Sequence, residues 1–102
     1  MAVVNVTTMT VKPGGWDKMV ADSQKAKGIL EKYGAKNVRL LVPLAGAEPS
    51  GTAHTTFEAD DLATLGKILD SIFADADMIS LMQSGAETTT WVTSVVADLP
   101  MS

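Results

Sequence analysis

The spacing of apolar residues changes abruptly at residues 12–15, and this change constrains the fold more than any other feature of the sequence. Residues 2–11, AVVNVTTMTV, are rich in Val and Thr, whose branched Cβ atoms suit a pleated strand. The KPGG sequence that follows ends the strand, because Pro and Gly favour turns. From Trp16 to Tyr33, apolar and small residues recur every three or four positions. This pattern predicts a helix of about five turns, with Gly34 as its left-handed C-terminal residue.

The next part of the chain is predicted to form a hairpin. Residues 37–46, NVRLLVPLAG, are typical of a second strand, and residues 52–59, TAHTTFEA, are typical of a third. The AEPSG sequence between them is rich in turn-forming residues. A loop of several residues therefore connects two neighbouring antiparallel strands.

The last part of the chain is predicted to be helical and then to return to a strand. Asp60 or Asp61 is suited to cap a second helix, because its carboxylate can accept a hydrogen bond from a free N–H of the first turn. The apolar stripe of this helix consists of Leu62, Leu65, Leu69, Ile72 and Phe73. Residues 74–85 add a short helical segment that Gly85 closes, and residues 87–99, ETTTWVTSVVADL, predict the fourth strand.

The resulting order is β-α-β-β-α-(α)-β, within one domain covering residues 1–102 and without linker or repeat. One right-handed crossover joins strand one to strand two, a second joins strand three to strand four, and the hairpin connects them. This order predicts an α+β fold of the ferredoxin-like type, in which a four-stranded antiparallel sheet carries both helices on one face.

The second face of the predicted sheet also carries apolar residues. Along strand two, Leu40 points to one side and Leu41 to the other, and along strand four Val92 and Val96 lie opposite Trp91. Leaving several such side chains in water forfeits several kcal/mol at roughly 25 cal/mol per Å². We therefore expect a homodimer that packs sheet to sheet through this open face.

Composition excludes several classes of function. The chain has no cysteine, which removes disulfide frameworks and thiol chemistry and fits a cytoplasmic location. Eight basic residues against twelve acidic ones give a net charge of −4, without the basic cluster that nucleic acid requires. The short, interrupted apolar runs predict no membrane span. The acidic residues Asp60, Asp61, Asp75 and Asp77 are typical of helix starts rather than of a metal site.

Three sequences carry a resemblance to a known family. These are the strand-one ending TMTVKPGGWDKM, the helix entered directly from its Pro-Gly turn, and TTFEADDLATL, where an aromatic residue precedes an acidic helix start. With the hairpin between them, residues 2 to about 99 resemble the dimeric α+β-barrel superfamily, and within it the antibiotic biosynthesis monooxygenase-like domains. The resemblance implies a homodimer that takes a small-molecule ligand.

The resemblance implies a cofactor-free oxidoreductase of the monooxygenase type, acting on an aromatic or polycyclic compound. The alternative is a non-catalytic ligand-binding or stress-associated barrel. Haem-degrading members are a poorer match. Their strand-one Asn falls nearer Thr7 than Asn5, their strand-three Trp falls on Phe57, and residues 61–84 contain no histidine to bind iron. No cofactor is therefore expected.

Cofactor-free oxygenation needs polar groups that hold a substrate anion within an apolar pocket. Asn5 and His54 are the candidate catalytic residues. A buried Asn in a strand of valines is costly unless it is bonded, so Asn5 either binds a ligand or satisfies a backbone group. His54, the single histidine, shares the parity of Thr56, opposite to Phe57, and either acts in acid-base chemistry or lines a strand.

Five residues are candidates for substrate binding. Thr7 shares a strand face with Asn5, and Phe57 shares one with Thr55. Trp16 and Trp91 offer flat apolar walls with a polar tip, although both also suit a core. Arg39, the single arginine, is suited to hold an anionic ligand or to form an intersubunit salt bridge with Glu58 or Glu87.

Overall fold

The computed structural model describes residues 2–101 and has seven elements. In chain order these are β1 (Val3–Val11), α1 (Trp16–Lys32), β2 (Lys36–Leu41), β3 (Thr52–Ala59), α2 (Leu62–Phe73), α3 (Ala76–Gly85) and β4 (Thr89–Ala97). The predicted order of strands and helices is confirmed. Within the described range, no helix is both long and apolar enough to cross a membrane.

The four strands form one antiparallel sheet in the order β2-β3-β1-β4. The two strands that are first and third in the chain therefore lie at the centre. Strand β1 pairs with β3 and β4, and β3 also pairs with β2. This is the ferredoxin-like α+β arrangement that the sequence predicts. The helices cover one face of the sheet, and we call the opposite face the open face.

Strand β2 is shorter than its sequence pattern predicts. It ends at Leu41, the last residue paired with β3, whereas the pattern extends to residue 46. Pro43 has no N–H to donate to a ladder, so pairing stops where it enters the chain. Residues 42–51 form a loop instead, in which Leu44 is 98% exposed.

Two buried clusters lie between the helices and the sheet. The larger one contains Phe57 from β3 and Leu65, Ile68 and Ile72 from α2, with Ile68 only 2% exposed. The smaller one joins Met9 and Val11 of β1 to Met19 of α1 and Ala53 of β3. The apolar stripe predicted for α2 therefore points to the core, apart from its exposed ends at Leu62 and Phe73.

Acidic residues cap the second and third helices, as the sequence predicts. The Asp61 carboxylate accepts a hydrogen bond from the Thr64 N–H at 2.7 Å, and this bond lowers the pKa of Asp61. Asp75 accepts from the Met78 N–H at 3.0 Å and from the Tyr33 hydroxyl at 2.6 Å. Asp75 therefore both starts α3 and ties it to the end of α1.

The bond between Tyr33 and Asp75 makes stability depend on pH at both extremes. It is the main cause that lowers the pKa of Asp75, and it raises the pKa of Tyr33. A lowered folded-state pKa stabilises the protein above the unfolded pKa of about 3.9, and this contribution is lost as pH falls through the folded value. For the raised pKa of Tyr33, the contribution is complete below about pH 10 and is lost as pH rises through the folded value.

We expect Asp75→Asn to lower the melting temperature by several degrees at neutral pH. Asn keeps the helix cap, so the loss reflects the charge-assisted bond from Tyr33. The difference from wild type should shrink as pH falls below about 4, where the carboxyl of the unfolded wild-type chain takes up its proton, and should vanish below the lowered pKa of the folded state. Urea unfolding between pH 3 and pH 7 measures this, with the exposed Asp70→Asn as the control. A difference that stays constant down to pH 3 would contradict the assignment.

Candidate functional site

A cavity of about 420 Å³ lies between the helices and the sheet. Four of the seven predicted site residues line it, and all four come from the central and edge strands: Asn5, Thr7, Phe57 and Trp91. Ligand pockets in proteins occupy about 300–1,000 Å³, so the cavity is large enough for a small organic molecule.

The register of the sheet explains why these four residues meet. Asn5 pairs with Phe57 on one side, and Thr7 pairs with Thr55 on one side and Thr93 on the other. Paired residues in antiparallel strands point to the same face, and alternate residues of one strand share a face. The helix-facing side of the sheet therefore places the Asn5 amide next to one cross-strand row of hydroxyl groups, those of Thr55, Thr7 and Thr93. The Thr7 and Thr93 hydroxyls lie 3.1 Å apart.

Asn5 is the most informative residue of the cavity. Its side chain is 4% exposed, and its Oδ1 has no hydrogen-bond partner among residues 2–101. An unpaired buried polar atom costs about 1–3 kcal/mol, so a protein retains one only where something compensates. A ligand with a polar group at Oδ1 would supply the missing bond.

The remaining walls are apolar and come mainly from the helices. These walls are formed by large apolar side chains, those of Met9, Met19, Leu30, Leu69, Ile72, Phe73, Met78, Leu81 and Met82. Met side chains adapt to irregular shapes and contact aromatic rings favourably. In the sequence these residues are indistinguishable from core residues, because a helix stripe has the same spacing in both cases.

Among the cavity residues that sequence reasoning missed, Asp22 of α1 differs from the others in chemistry. It is the single ionisable side chain lining the cavity within the described range. Lys18, one turn earlier, donates to Asp22 Oδ2 at 2.7 Å and to the Ser84 hydroxyl of α3 at 2.7 Å. The i,i+4 spacing of Lys18 and Asp22 was visible in the sequence, but it is also typical of a solvated helix face.

A glycine brings Asp22 close to Trp91. A Cβ atom added at Gly85 would lie 3.0 Å from Trp91 Cζ2 and 3.9 Å from Asp22 Oδ2. The indole ring therefore occupies the space that a side chain at Gly85 would fill. The carboxylate lies at the same end of the cavity as the ring.

The structure places His54 on the open face, away from the cavity. Its Nδ1 lies 3.0 Å from the Thr8 hydroxyl, and its Nε2 lies 2.8 Å from a carboxylate oxygen of Glu48. The parity argument from the sequence is therefore confirmed. The predicted catalytic role of His54 has no support from the geometry of the cavity.

Trp16 and Arg39 also lie outside the cavity. Trp16 packs against the loop after β2, where residues 42–46 and 48–52 line a second cavity of about 450 Å³. Arg39 is exposed on the open face beside Thr56 and has no ion pair within residues 2–101. No cluster of three metal-ligating side chains occurs in the same range.

Comparisons with known proteins identify the fold. No protein-family model and no curated protein sequence matches the chain. Among solved structures, it is similar to SnoaB, a cofactor-independent oxygenase from Streptomyces nogalater, with a TM-score of 0.70, 13% identity, and coverage of 98% of this chain and 95% of SnoaB.

Two further structures have the same arrangement. A NIPSNAP domain protein from Burkholderia xenovorans matches with a TM-score of 0.79 and 14% identity, over 98% of this chain and 97% of its own. A putative antibiotic biosynthesis monooxygenase from Bordetella bronchiseptica matches with a TM-score of 0.75 and 12% identity, over 97% and 98%. The chain therefore has the ferredoxin-like α+β fold that these oxygenase, NIPSNAP and monooxygenase-like structures share.

Proposed function

We propose that the cavity binds a planar aromatic or polycyclic molecule and that the protein is a cofactor-independent oxygenase of such compounds. The observation that supports binding most directly is Asn5, which lines a largely apolar cavity and whose buried Oδ1 has no partner among the described residues. A phenolic hydroxyl or an enol of the ligand would donate to it. The amide also offers N–H donors to a carbonyl.

The chemistry of oxygenation without a cofactor fits this lining. The substrate must lose a proton and give electrons to dioxygen, so its anion needs nearby hydrogen-bond donors. Asn5 and the Thr7 and Thr93 hydroxyls supply polar groups on the sheet side. The Met and Leu side chains of the helices exclude water and leave apolar space for dioxygen.

The two tryptophans allow binding to be measured at the cavity alone. Trp91 lines the cavity and Trp16 lies outside it, so the Trp16→Phe variant reports only on Trp91. We expect anthrone, a planar tricyclic ketone with an acidic methylene group, to quench this fluorescence saturably. The matched Trp91→Phe variant, which retains only Trp16, should show little saturable change. Equal quenching in both variants would place binding elsewhere.

Turnover is measured separately by dioxygen uptake with the same compound. One anthrone and one dioxygen give one anthraquinone and one water, so uptake and product must match one to one. The rate above that of protein-free buffer is the enzymatic rate. Saturable binding without added uptake would contradict the oxygenase assignment for this class of compound and would favour the second candidate.

The second candidate is a ligand-binding protein without turnover. The position of His54 favours it, because the single imidazole of the chain lies on the open face and not at the cavity. The NIPSNAP proteins of similar structure show that this fold is not confined to proteins described as oxygenases. The uptake experiment separates the two candidates.

We also propose that two copies pair through the open face. Apolar residues remain exposed on it, with Val92 70%, Val96 47% and Leu41 43% exposed. Exposed apolar patches of this kind favour an interface, and a two-fold axis lets the same patch cover itself. The resemblance to dimeric α+β barrels supports the same arrangement.

A further inference from the structure

We propose that Asp22 is the general base of the cavity and removes a proton from an acidic C–H or O–H group of a ligand bound beside Trp91. This inference rests on the proposed function in one respect, that the cavity binds a planar aromatic compound with an acidic proton. It assigns a catalytic residue that lies on α1, apart from the amide and hydroxyl groups of the sheet.

The first support for this role is the location of Asp22. Among the cavity-lining residues of the described chain, Asp22 has the single ionisable side chain, since the other polar groups are amides and hydroxyls. Its side chain is 22% exposed, so it lies where the cavity meets solvent. A base at this position can accept a proton from the ligand and release it to water.

The second support is the pairing of its two oxygens. Lys18 bonds to Oδ2, whereas Oδ1 has no side-chain hydrogen bond within residues 2–101. The ammonium group offsets the cost of holding a carboxylate beside an apolar cavity. It leaves one oxygen free to accept a proton. Lys18 is in turn held by the Ser84 hydroxyl of α3, which fixes the carboxylate between two helices.

The third support is the neighbouring ring. Trp91 and Asp22 both lie next to Gly85, and the ring provides a flat surface against which a planar ligand can stack. A ligand stacked there and bonded to Asn5 would present its edge along the cavity towards Asp22. Proximity of this kind is what general base catalysis requires.

Asp22 Oδ1 forms an O–H bond as the C–H bond of the ligand breaks, and the electron pair stays on the ligand as an enolate. Dioxygen, the oxidant, then takes electrons from the enolate and forms a carbon-bound peroxide. The peroxide loses one oxygen as water, using the proton held by Asp22 and a second proton from the same carbon, and leaves a carbonyl group.

Proton removal can be measured without oxidation. In D₂O under anaerobic conditions, nuclear magnetic resonance follows the exchange of the methylene protons of anthrone. We expect wild-type protein to accelerate this exchange and Asp22→Asn to reduce the acceleration by about 10²-fold or more, the usual contribution of a general base. Anthrone binding, measured from Trp91 fluorescence, should change only a few-fold. The control is Asp70→Asn, the same substitution on the exposed side of α2.

Chemical rescue tests whether the carboxylate acts directly. Asp22→Ala is expected to be slow alone and faster with added formate, which fits the vacated space, whereas Asp70→Ala should not respond. If Asp22→Asn exchanges like wild type, or if wild type binds anthrone without accelerating exchange, the inference is overturned.

The same experiment distinguishes this inference from the oxygenase assignment. Exchange that depends on Asp22 without dioxygen uptake would leave Asp22 as a base and remove the oxygenase function. Failure to bind anthrone at all would overturn both.

Discussion

Replacing Asn5 by Leu is expected to stabilise the protein and to weaken its ligand binding at the same time. Leu has nearly the same shape as Asn but no polar atoms, so the buried Oδ1 that lacks a partner disappears. The free energy of unfolding should rise by about 1–3 kcal/mol, the cost of an unsatisfied buried polar group. Binding of anthrone should weaken by about two- to tenfold, because the ligand loses a buried hydrogen bond worth about 0.5–1.5 kcal/mol.

Opposite changes in stability and binding are the signature of a functional polar group. If Asn5 served only the fold, its substitution would lower the free energy of unfolding. If Asn5 were an unsatisfied polar residue with no role in binding, its substitution would raise the free energy of unfolding and leave binding unchanged. Urea unfolding and Trp91 fluorescence measure the two quantities on the same preparation. A less stable variant that binds normally would show that Asn5 serves the fold.

The chain contains a matched control for this experiment. Thr56 also has a buried oxygen without a partner among the described residues, but it lies on the open face. Thr56→Val is isosteric and removes that oxygen, so it should also stabilise the protein. It should leave anthrone binding unchanged, because Thr56 does not line the cavity.

Placing a carboxylate at the centre of the open face is expected to convert a dimer into a monomer. Val6 lies on β1, in the middle of the sheet, between Thr56 and Ser94. A Glu at this position would be buried without a partner in a sheet-to-sheet dimer, which costs several kcal/mol. In a monomer the same side chain reaches water, so the fold is preserved.

Native mass spectrometry and sedimentation measure this change directly. Wild-type protein should have twice the mass of Val6→Glu at micromolar concentration, and both should retain the same circular dichroism. The control, Leu62→Glu, adds the same charge at a helix position that is 67% exposed on the other side of the molecule. A monomeric wild-type protein would contradict the dimer proposal.

The predicted fold agrees with the structure where the signal is local. The switch from strand to helix at Trp16, the caps at Asp61 and Asp75, and the Thr-rich third strand depend on neighbouring residues, so a single sequence reveals them. The sequence pattern predicts a longer second strand than the structure has, because Val42 and Leu44 continue the pattern while the ladder to β3 stops before Pro43.

The candidate site shows the limit of the same reasoning. Asn5 was identifiable as a polar residue among valines, and parity alone placed it with Thr7. His54 and Arg39 are candidates partly because each residue type occurs once in the chain, yet rarity carries no information about which face of a strand lies at a cavity. Asp22 was overlooked because a Lys-Asp pair spaced by four residues is also typical of an exposed helix surface.

The order of the elements, the ends of most of them and the two faces of each strand follow from local sequence, because periodicity and turn chemistry act over a few residues. Tertiary packing determined which face the helices cover, and that choice separates Asn5 from His54. It also brought Asp22 of α1, Gly85 of α3 and Trp91 of β4 to one end of a cavity. These contacts join residues distant in the chain, and their geometry follows from how the helices pack on the sheet.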